Sequence, residues 1–383
     1  MEKLLARKFS ISGDKKEKMQ TVQMQRCRKC IMPVNYPRII FDNEGVCNFC
    51  TNQKRIEYQG AEALKSKILS YRNLGGGSKY DCALGFSGGR DSSYLLYYLS
   101  KVLNLNVIAF TIDNGNLPPD TQQNIKNITG LLNVDLVTKR YPYLENCFRH
   151  HLKAWLHKPT PAMIASLCVG CRLGLAKGRY ELLQEYRIPV YISGGTPFEG
   201  NQYKTNLLRI SPNSKTKSSL ILGYIFQVAR NARWISNLYA FSIQAKEFMA
   251  FYGRRYNKKL RRKGYITISP FHQYIKWDET KIVDTIENEL GWRKNSQTGS
   301  TWRGDCDIAQ LKLYLYKILL GYNDKDDSLS DLIRDGQITR EDAFQRLEVE
   351  QYISESVIKN IMEKNGINYG YFQEVIRGLN NMK

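Results

Sequence analysis

The sequence lacks several features that would place it in a broad class at once. It contains no run of about 18 apolar residues, so no segment is predicted to cross a bilayer as a helix. Its first twenty residues lack the apolar stretch and cleavage site of a secretory signal. There are only four histidines, none with the spacing of a helical metal site, and the adjacent pair His150 and His151 is expected at the surface. These absences predict a cytoplasmic protein.

Acidic residues are few relative to basic ones, with 36 Asp and Glu against 57 Lys and Arg and a formal net charge of +21. The imbalance is concentrated in residues 201–265, which contain fourteen Lys and Arg but a single acid, Glu247. A surface this basic attracts anions, whether nucleic acid, lipid headgroups or phosphorylated sugars. Charge alone does not choose among them, and a solvated basic face without a partner is the remaining alternative.

The pattern along the chain divides it into five parts. Short apolar runs alternate with helical patterns in the central part, which predicts βαβ units and a parallel sheet covered by helices on both faces. The predicted fold class is therefore α/β, with a doubly wound, mostly parallel sheet. The parts are a basic tail (1–23), a zinc-ribbon-like module (24–56), an α/β domain (57–200), a basic aromatic-rich helical insertion (201–265), and a region that completes the α/β domain and continues as helices (266–383). The predicted strands are Tyr80–Phe86, Val107–Ile112, Val134–Val137 and Pro189–Ser193, and the predicted helices of the α/β domain are Ser92–Lys101, Pro119–Leu132 and Leu173–Tyr186.

The most constrained motif is Ser87-Gly88-Gly89-Arg90-Asp91-Ser92, which follows an apolar strand and opens a helix. Two glycines let the backbone approach a phosphate, and the N–H groups of the loop and of the helix N-terminus then point at the anion. Asp91 is an acid beside phosphates, which makes sense with a bound cation such as Mg²⁺. The alternative is a polar turn in which Ser92 caps the helix.

Two further positions fit a nucleotide site at the carboxyl ends of the strands. Asp113 follows the strand Val107–Ile112, and it is a candidate to bind ribose or adenine. Gly194, Gly195 and Thr196 follow another strand and are candidates to line the same crevice. Both segments can equally be simple turns.

Cys27-x-x-Cys30 and Cys47-x-x-Cys50, separated by sixteen residues, form two knuckles with the spacing of a tetrahedral Zn²⁺ site. All four ligand positions would be filled by protein, so the predicted site is structural. Nine cysteines without an export signal also indicate a reducing compartment, where closely spaced cysteines more often bind metal than form disulfides.

These motifs resemble one known family. The segment 87–92 looks like the loop of the PP-loop ATP pyrophosphatases, whose fold is HUP-like. The sequence around Cys27–Cys50 is similar to the amino-terminal module of the N-acetyl sugar amidotransferases, which belong to that class. Residues 274–278, 313–317 and 333–343 are also similar to segments of those amidotransferases. The resemblance implies that ATP binds at Ser87, Gly88, Gly89, Asp91 and Ser92, and that Asp91 and Arg90 are the catalytic residues. Arg90 stands where the family often has lysine.

The family's implied reaction belongs to surface polysaccharide and lipopolysaccharide biosynthesis. ATP adenylates the acetamido oxygen of a nucleotide- or lipid-linked N-acetyl sugar, and ammonia from a separate glutaminase partner displaces AMP to give an acetamidino group. No amidase nucleophile set is evident in this chain, which agrees with an external ammonia source.

A second cysteine set supports an alternative. Cys168-x-x-Cys171 with the distant Cys306 resembles the pattern by which some tRNA thiolases of the PP-loop class hold a [4Fe–4S] cluster. The alternative function is thus a sulfur transferase acting on tRNA or a sugar, with these cysteines holding the cluster or a second metal. Two buried thiols and an unrelated third are the other interpretation. A third hypothesis, a zinc-ribbon assembly or nucleic-acid protein without catalysis, is disfavoured by the intact phosphate loop.

The basic segment leaves the partner open. Seven Lys and Arg lie within residues 254–263, and Phe248, Phe251, Tyr252 and Tyr256 lie just before or among them. Such a segment can bind tRNA, an anionic membrane at the inner face of the cell, or an acidic protein. Because the family resemblance points to sugars, a phosphorylated or lipid-linked sugar or an acidic partner is favoured over tRNA.

Overall fold

The structure of the protein is a computed structural model that describes most of the chain. The described residues are 24–199, 202–211, 214, 216–249, 254–298, 300–350 and 353–381. The predicted basic tail at residues 1–23 lies outside them.

A sheet of five parallel strands forms the centre of the protein, in the order β3-β2-β1-β4-β5. In the middle of the sheet, Leu84 of β1 lies between Ala109 of β2 and Ile192 of β4. The predicted fold class, a doubly wound parallel α/β sheet, is confirmed. The strands are β1 Cys82–Gly85, β2 Val107–Ile112, β3 Asp135–Lys139, β4 Val190–Ile192 and β5 Ile266–Ile268.

The apolar run of β2 shows why these residues form a central strand. Side chains alternate between the two faces of a sheet. Val107 and Ala109 pack with Ile128 in one hydrophobic cluster, whereas Ile108 packs with Leu182 in another. A strand with both faces covered has no polar side, which is the pattern that buried parallel strands require.

Helices cover both faces of the sheet and continue into a helical carboxyl-terminal region. The first helices are α1 Asn48–Thr51, α2 Ala61–Leu69, α3 Arg90–Tyr97, α4 Pro119–Leu132, α5 Tyr143–His157, α6 Val169–Glu185, α7 Gln202–Leu208, α8 Lys217–Ala229, α9 Leu238–Met249 and α10 Arg254–Arg262. They are followed by α11 Pro270–Gln273, α12 Glu279–Leu290, α13 Asp307–Leu320, α14 Asp324–Asp335, α15 Arg340–Glu350, α16 Glu355–Lys364 and α17 Tyr369–Asn381. Short 3₁₀ segments occur at Arg72–Gly75, Pro161–Cys168 and Ala232–Ile235, and a π-helical turn, Tyr98–Val102, extends α3. No helix in this described part is both long and apolar enough to cross a bilayer.

Local sequence signals set several helix ends. Helix α4 begins at Pro119, where the missing N–H costs nothing, and ends before Asn133, which adopts a left-handed φ of 52°. Thr339 and Asp342 form a variant of the capping box, as the sequence Thr339-x-x-Asp342 predicts. The Asp342 N–H donates to the Thr339 hydroxyl at 3.1 Å, and the Thr339 N–H donates to the Asp342 carboxylate at 3.0 Å.

The cysteine-rich module does not stand apart from the rest of the protein. Met32 and Tyr36 of the module belong to one buried cluster with Trp155 of α5, Leu311 of α13 and Phe372 of α17. The module therefore packs on the helical carboxyl-terminal region, whose core it shares.

Some elements differ from the sequence prediction. Strand β5 and helix α5 were not predicted, and α3 begins at Arg90 rather than Ser92. Because β5 lies beyond the basic segment, the sheet draws on chain both before residue 200 and after residue 265. The bounds of the five parts stay predictions.

Candidate active site and metal centre

The phosphate-loop candidate joins β1 to α3 through a turn that requires glycine. Gly88 has a φ of +75°, a left-handed conformation that residues with a side chain rarely adopt. There is also no room for a side chain, because a Cβ on Gly88 would lie 2.6 Å from Cγ1 of Ile125 and 2.9 Å from the carbonyl oxygen of Thr121. The loop backbone is therefore held tightly against α4.

Serine side chains close the same loop from inside. The Oγ of Ser92 accepts a hydrogen bond from the Ser87 N–H at 3.2 Å and donates to the carbonyl oxygen of Gly89 at 3.1 Å. Gly89, the residue before α3, makes no side-chain cap. The first N–H groups of a helix have no partners within the helix, so an uncapped start leaves them available to an anion.

The loop forms one wall of a cavity of about 440 Å³. This cavity lies beyond the carboxyl ends of β1 and β4, where the strand order reverses, and open α/β sheets bind ligands at that position. Gly194 and Gly195 form a second part of the wall, and residues 300–306 form a third. The predicted site residues that line it are Ser87, Gly88, Gly89, Arg90, Asp91, Ser92, Cys171, Gly194, Gly195 and Cys306.

Arg90 is buried between two tryptophans. Its Cζ lies 4.8 Å from the ring centroid of Trp277 and 4.3 Å from that of Trp302. Its Nε and Nη2 donate to the two carboxylate oxygens of Asp91 at 3.0 and 3.1 Å. Stacking and bidentate pairing are properties of guanidinium that lysine does not share, which explains arginine at this position. In this geometry Arg90 orients Asp91, and a direct catalytic role for Arg90 stays a prediction.

Asp91 and Asp305 are two carboxylates next to the loop. Oδ1 of Asp91 also accepts from Nε1 of Trp277 at 2.8 Å, so its position is fixed from two sides. Asp305 precedes Cys306 in a segment similar to the tRNA thiolases, but the sequence assigned it no role in the site. It lies so close to Gly89 that a Cβ there would be 3.1 Å from its Oδ2. Carboxylate oxygens beside phosphates suit Mg²⁺, and these two residues would hold it. The ion would supply positive charge to the phosphates.

Glu279 holds Arg90 from the opposite side. Its Oε1 accepts from Nη1 of Arg90 at 2.8 Å and from Nε1 of Trp302 at 2.7 Å. Arg346 of α15 donates to both oxygens of Glu279, at 2.7 and 3.0 Å, and to Glu350 at 2.6 Å. Burial alone raises the pKa of Glu279, but the charges of Arg346 and Arg90 outweigh it and hold that pKa below the usual range. The carboxyl-terminal helices thus fix the phosphate loop through a chain of buried charges.

Replacement of Glu279 by glutamine is expected to lower the free energy of unfolding by about 3–5 kcal/mol, because it leaves two buried guanidinium groups with too little negative charge. It should also weaken ATP binding, since Arg90 loses the anchor that keeps Asp91 in place. The measurements are denaturant unfolding and the KM for ATP.

A matched control for this substitution exists on the same helix. Glu289 is exposed, and Glu289→Gln should change the unfolding free energy by no more than about 0.5 kcal/mol. Equal stability and equal ATP affinity of Glu279→Gln and Glu289→Gln would show that the buried charges do not support the loop.

Two predicted nucleotide-binding residues do not line the cavity. Asp113 accepts from the N–H of Gly115 at 2.8 Å and pairs with Arg140 at 3.3 Å. The Oγ1 of Thr196 accepts from the N–H of Phe198 at 3.3 Å, and Thr196 is buried. Both side chains stabilise turns at the carboxyl ends of strands, and their roles in nucleotide binding stay predictions.

Three supporting residues were missed by sequence reasoning: Glu279, Trp302 and Arg346. Glu279 and Arg90 are 189 positions apart, and no local motif connects them. For Trp302, the available signal was its position in the segment 302–306, which ends at Cys306 of the second cysteine set.

The four amino-terminal cysteines form a compact buried cluster. All four Sγ atoms lie within 4.8 Å of one another, with Cys27 and Cys50 4.0 Å apart and Cys30 and Cys47 3.8 Å apart. Zn–S bonds of about 2.3 Å in a tetrahedron place sulfur atoms about 3.8 Å apart. The four cysteines therefore fit Zn²⁺ as its ligands. The ion would cross-link the module, and no coordination position would be left for a substrate.

The carboxyl-terminal region supplies partners to this cluster. Arg334 of α14 donates from Nη1 to the Sγ of Cys30 at 3.5 Å. Arg340, at the start of α15, donates to the carbonyl oxygens of Cys30 and Cys27 at 3.1 and 3.2 Å. Positive charge beside a thiolate-rich site offsets its negative charge and orients the ligands.

The second cysteine set gathers beside the cavity. Asn114 donates from Nδ2 to the sulfur atoms of Cys306 at 3.4 Å and Cys171 at 3.8 Å, and Lys312 donates to Cys168 at 3.3 Å. Desolvation raises the pKa of Cys171 to about 11 and that of Cys306 to about 12. Both thiols are therefore protonated at neutral pH unless a positive charge binds them.

The spacing of this set differs from that of the first. Within the described residues, Cys168, Cys171 and Cys306 do not form a group with all sulfur atoms inside 4.8 Å. A single tetrahedral ion needs closer sulfur atoms, whereas a cluster separates its cysteine ligands by the iron and sulfide between them. A metal or cluster at this position stays a prediction, and the two sulfur atoms that line the cavity are those of Cys171 and Cys306.

The surface position expected for the adjacent histidines is wrong for His151. His151 is completely buried, 5.6 Å from the ring of Trp234, and burial lowers its pKa to about 3. The reason is helix α5, which the sequence did not predict. Residues 147, 151 and 155 recur every four positions on its inward face, and all three are fully buried.

Comparison with family models finds one match on the carboxyl-terminal region. Residues 311–383 match the model described as LPS biosynthesis protein WbpG-like, C-terminal domain. This segment contains two of the stretches in which the sequence resembles the sugar amidotransferases, and it is similar to the WbpG-like C-terminal domain. It includes Arg334, Arg340 and Arg346, the residues that contact the cysteine cluster and support the phosphate loop.

A curated relative is an uncharacterized protein of Methanocaldococcus jannaschii, MJ1599, which is 27% identical over 123 residues. The alignment covers 31% of this chain and 44% of that protein, so the chain spans less than half of the relative's length.

Three solved structures are similar to this chain at low identity and low TM-score. The U34-tRNA thiolase NcsA of Methanococcus maripaludis with its [4Fe-4S] cluster is 16% identical, with a TM-score of 0.34 over 85% of this chain and 89% of that one. The NH3-dependent NAD synthetase of Campylobacter jejuni is 14% identical, with a TM-score of 0.27 over 54% of this chain and 96% of that one. The NMN synthetase of Francisella tularensis is also 14% identical, with a TM-score of 0.27 over 55% and 98%. At these values the likenesses carry no argument.

Proposed function

We propose that this protein is an ATP-dependent enzyme of the PP-loop class that replaces the acetamido oxygen of an N-acetyl sugar with ammonia. The observation that carries the proposal is the connection between the phosphate loop and the WbpG-like domain. Arg346 of that domain pairs with Glu279, which pairs with Arg90 of the loop. A domain described for lipopolysaccharide biosynthesis thus supports an ATP-site candidate directly.

The proposed reaction needs two steps because an amide carbon is a poor electrophile. First, the acetamido oxygen attacks the α-phosphorus of ATP, so that an O–P bond forms and pyrophosphate leaves. Ammonia then adds to the activated carbon, the C–O bond breaks, and AMP leaves with the former acetamido oxygen. A proton lost from the nitrogen completes the acetamidino group.

The residues of the cavity fit the charge changes of the first step. The N–H groups at the start of α3 and the hydroxyl of Ser87 line the cavity and are the proposed phosphate-binding groups, and Ser92 shapes the loop from inside. Asp91 and Asp305 would hold the Mg²⁺ that offsets phosphate charge. The proposed acceptor is a nucleotide- or lipid-linked sugar, and a separate glutaminase is the proposed source of ammonia.

The second cysteine set supports a second candidate function. Cys171 and Cys306 line the cavity that contains the phosphate loop, so a sulfur atom held there would reach an adenylated substrate. The alternative is therefore a PP-loop sulfur transferase that acts on tRNA or a sugar and uses Cys168, Cys171 and Cys306 to hold a cluster.

Isotope transfer tests the proposed reaction. With an N-acetyl sugar labelled with ¹⁸O in the acetamido group, ammonium chloride and Mg-ATP, the label is expected to appear in AMP, in an amount equal to the pyrophosphate released. Unlabelled AMP would contradict adenylation of the acetamido oxygen. Pyrophosphate release that requires tRNA and sulfide, and no N-acetyl sugar, would establish the alternative.

The absorbance of anaerobically purified protein separates the two candidates independently of substrate choice. The amidotransferase proposal expects a colourless protein that contains zinc. A broad brown absorbance that is lost in Cys306→Ala, with zinc content unchanged, would favour sulfur transfer. Cys82→Ala is the matched control, because Cys82 is a buried thiol in β1 outside both cysteine sets.

A further inference from the structure

Exposed apolar side chains are concentrated in one part of the basic segment. Among the described residues, sixteen large hydrophobic side chains are exposed, and eight of them fall within residues 210–239. Four lie on α8, where they form a stripe along the helix. The eight are Ile210, Ile221, Leu222, Ile225, Phe226, Ile235, Leu238 and Tyr239.

The orientation of α8 is fixed by its opposite face. Leu220 and Tyr224 are buried against the protein. Gly223 lies against the backbone at Leu208, where a Cβ would overlap the carbonyl oxygen. The N–H of Ile210 also donates to the carbonyl oxygen of Ser219 at 3.1 Å. The helix therefore cannot turn its apolar stripe inward without losing this packing.

The charge around the stripe has one sign. Lys217, Arg230 and Arg233 are exposed on α8 and on the segment that follows it. The single acid of residues 201–265, Glu247, is buried and pairs with Arg172 at 2.8 Å, so it contributes no exposed negative charge. Helix α10 carries further exposed cations of the same segment. Of the aromatic residues expected there, the side chains of Phe248, Phe251 and Tyr252 lie outside the described residues.

We propose that the α8 stripe and its basic surroundings dock the protein on an anionic phospholipid bilayer. A helix that lies in the interface buries an apolar face among the acyl chains while its cations contact the headgroups. Leu222, Ile225 and Phe226 are each at least half exposed, and burial in the bilayer would remove them from water. Anionic lipids complement the surrounding Lys and Arg. The surface lies outside the proposed catalytic cavity, so the inference is independent of the reaction.

Aliphatic side chains distinguish the bilayer from RNA as a partner. RNA contacts use cations for phosphates and flat aromatic or guanidinium groups for bases. The exposed stripe instead contains Ile221, Leu222 and Ile225, which gain little from either contact. A bilayer accommodates both the aliphatic stripe and the positive charge, whereas RNA accommodates only the charge.

Vesicle co-sedimentation of the full chain tests the proposal. Wild-type protein is expected to bind vesicles of equal parts phosphatidylcholine and phosphatidylglycerol, and to bind phosphatidylcholine alone much more weakly. The double variant Leu222→Gln/Phe226→Gln should weaken binding to the mixed vesicles by about 10-fold or more. The triple variant Lys217→Gln/Arg230→Gln/Arg233→Gln should weaken it by about 100-fold at low salt, with a smaller effect at high salt.

The matched control is Val102→Gln/Leu131→Gln, which changes two exposed apolar residues on other helices and should leave vesicle binding unchanged. All replaced side chains are exposed, so thermal unfolding should confirm that each variant folds. No vesicle binding by the wild type, or equal binding by the Leu222/Phe226 variant, would overturn the proposal. Salt-sensitive tRNA binding that the triple variant loses, without vesicle binding, would assign the surface to RNA instead.

Discussion

Replacement of Gly88 by alanine is expected to reduce substrate-dependent pyrophosphate release by about 100-fold or more, because a small displacement of the phosphate loop misplaces the reacting groups. Alanine at the φ of +75° costs about 1–2 kcal/mol in backbone energy alone. Its Cβ would also overlap Ile125 and the carbonyl oxygen of Thr121. The loop must therefore move away from α4 and into the cavity. The measurement is pyrophosphate release together with ATP affinity.

Two further glycine substitutions make this test specific. Gly130→Ala on the exposed side of α4 meets no atom within 4 Å and should stabilise the helix by about 1 kcal/mol without changing activity. Gly89→Ala has a φ of −78° and therefore no backbone strain, but its Cβ would project to within 3.1 Å of Asp305. Should Gly88→Ala fail to fold, Gly89→Ala provides the same test. Near wild-type activity of a folded Gly88→Ala or Gly89→Ala would exclude the loop from phosphate binding.

Replacement of Cys47 by serine is expected to remove the zinc of the amino-terminal module, from about one ion per chain to none. The binding free energy of a structural zinc is about 10 kcal/mol or more in isolated zinc-finger peptides, and most of it is folding free energy. Residues 24–56 have few regular elements, only a short helix and two isolated bridges, so little else holds them together. Loss of the ion should therefore unfold the module and expose the core that it shares with α13 and α17.

Metal analysis and limited proteolysis measure the two parts of this result. Cys147→Ala is the control, because Cys147 is equally buried but lies on α5, outside the cluster. Its replacement should keep the zinc and cost only about 0.5–3 kcal/mol, the range of ordinary core substitutions. Retention of a full zinc complement by Cys47→Ser would rule out Cys47 as a ligand.

Much of the α/β core could be predicted because its signals are local. The strand Val107–Ile112 and the helix Pro119–Leu132 have the predicted bounds. An uninterrupted apolar run identifies the strand, and a proline marks the first residue of the helix. The Cys-x-x-Cys spacing likewise predicted a cluster that the structure brings together. Even Thr339 and Asp342 could be paired correctly, because a capping box needs only four consecutive residues.

Elements that depend on distant packing could not be predicted. Strand β5 has three residues and follows a long basic segment, and its pairing with β4 is what makes Ile266–Ile268 a strand. The burial of His151 depends on Trp234 of a different segment. Short strands and buried polar groups are determined by their neighbours more than by their own sequence.

In the site, too, local features could be predicted and contacts between distant residues could not. The motif at residues 87–92 predicted the loop, but its support by Glu279 and Arg346 depends on helices from the other half of the chain. Charged residues on a helix are usually exposed, so their sequence gives no indication that they are buried.

The helices α14 and α15 contact both the cysteine cluster and the support of the phosphate loop. Arg334 and Arg340 lie beside the cysteines, and Arg346 lies one to two turns further along α15. A shift of these helices would alter both sites at once, so we expect metal binding at the cysteines and nucleotide binding at the loop to be coupled. If a bound metal changes the affinity for the nucleotide by some factor, a bound nucleotide must change the affinity for the metal by the same factor.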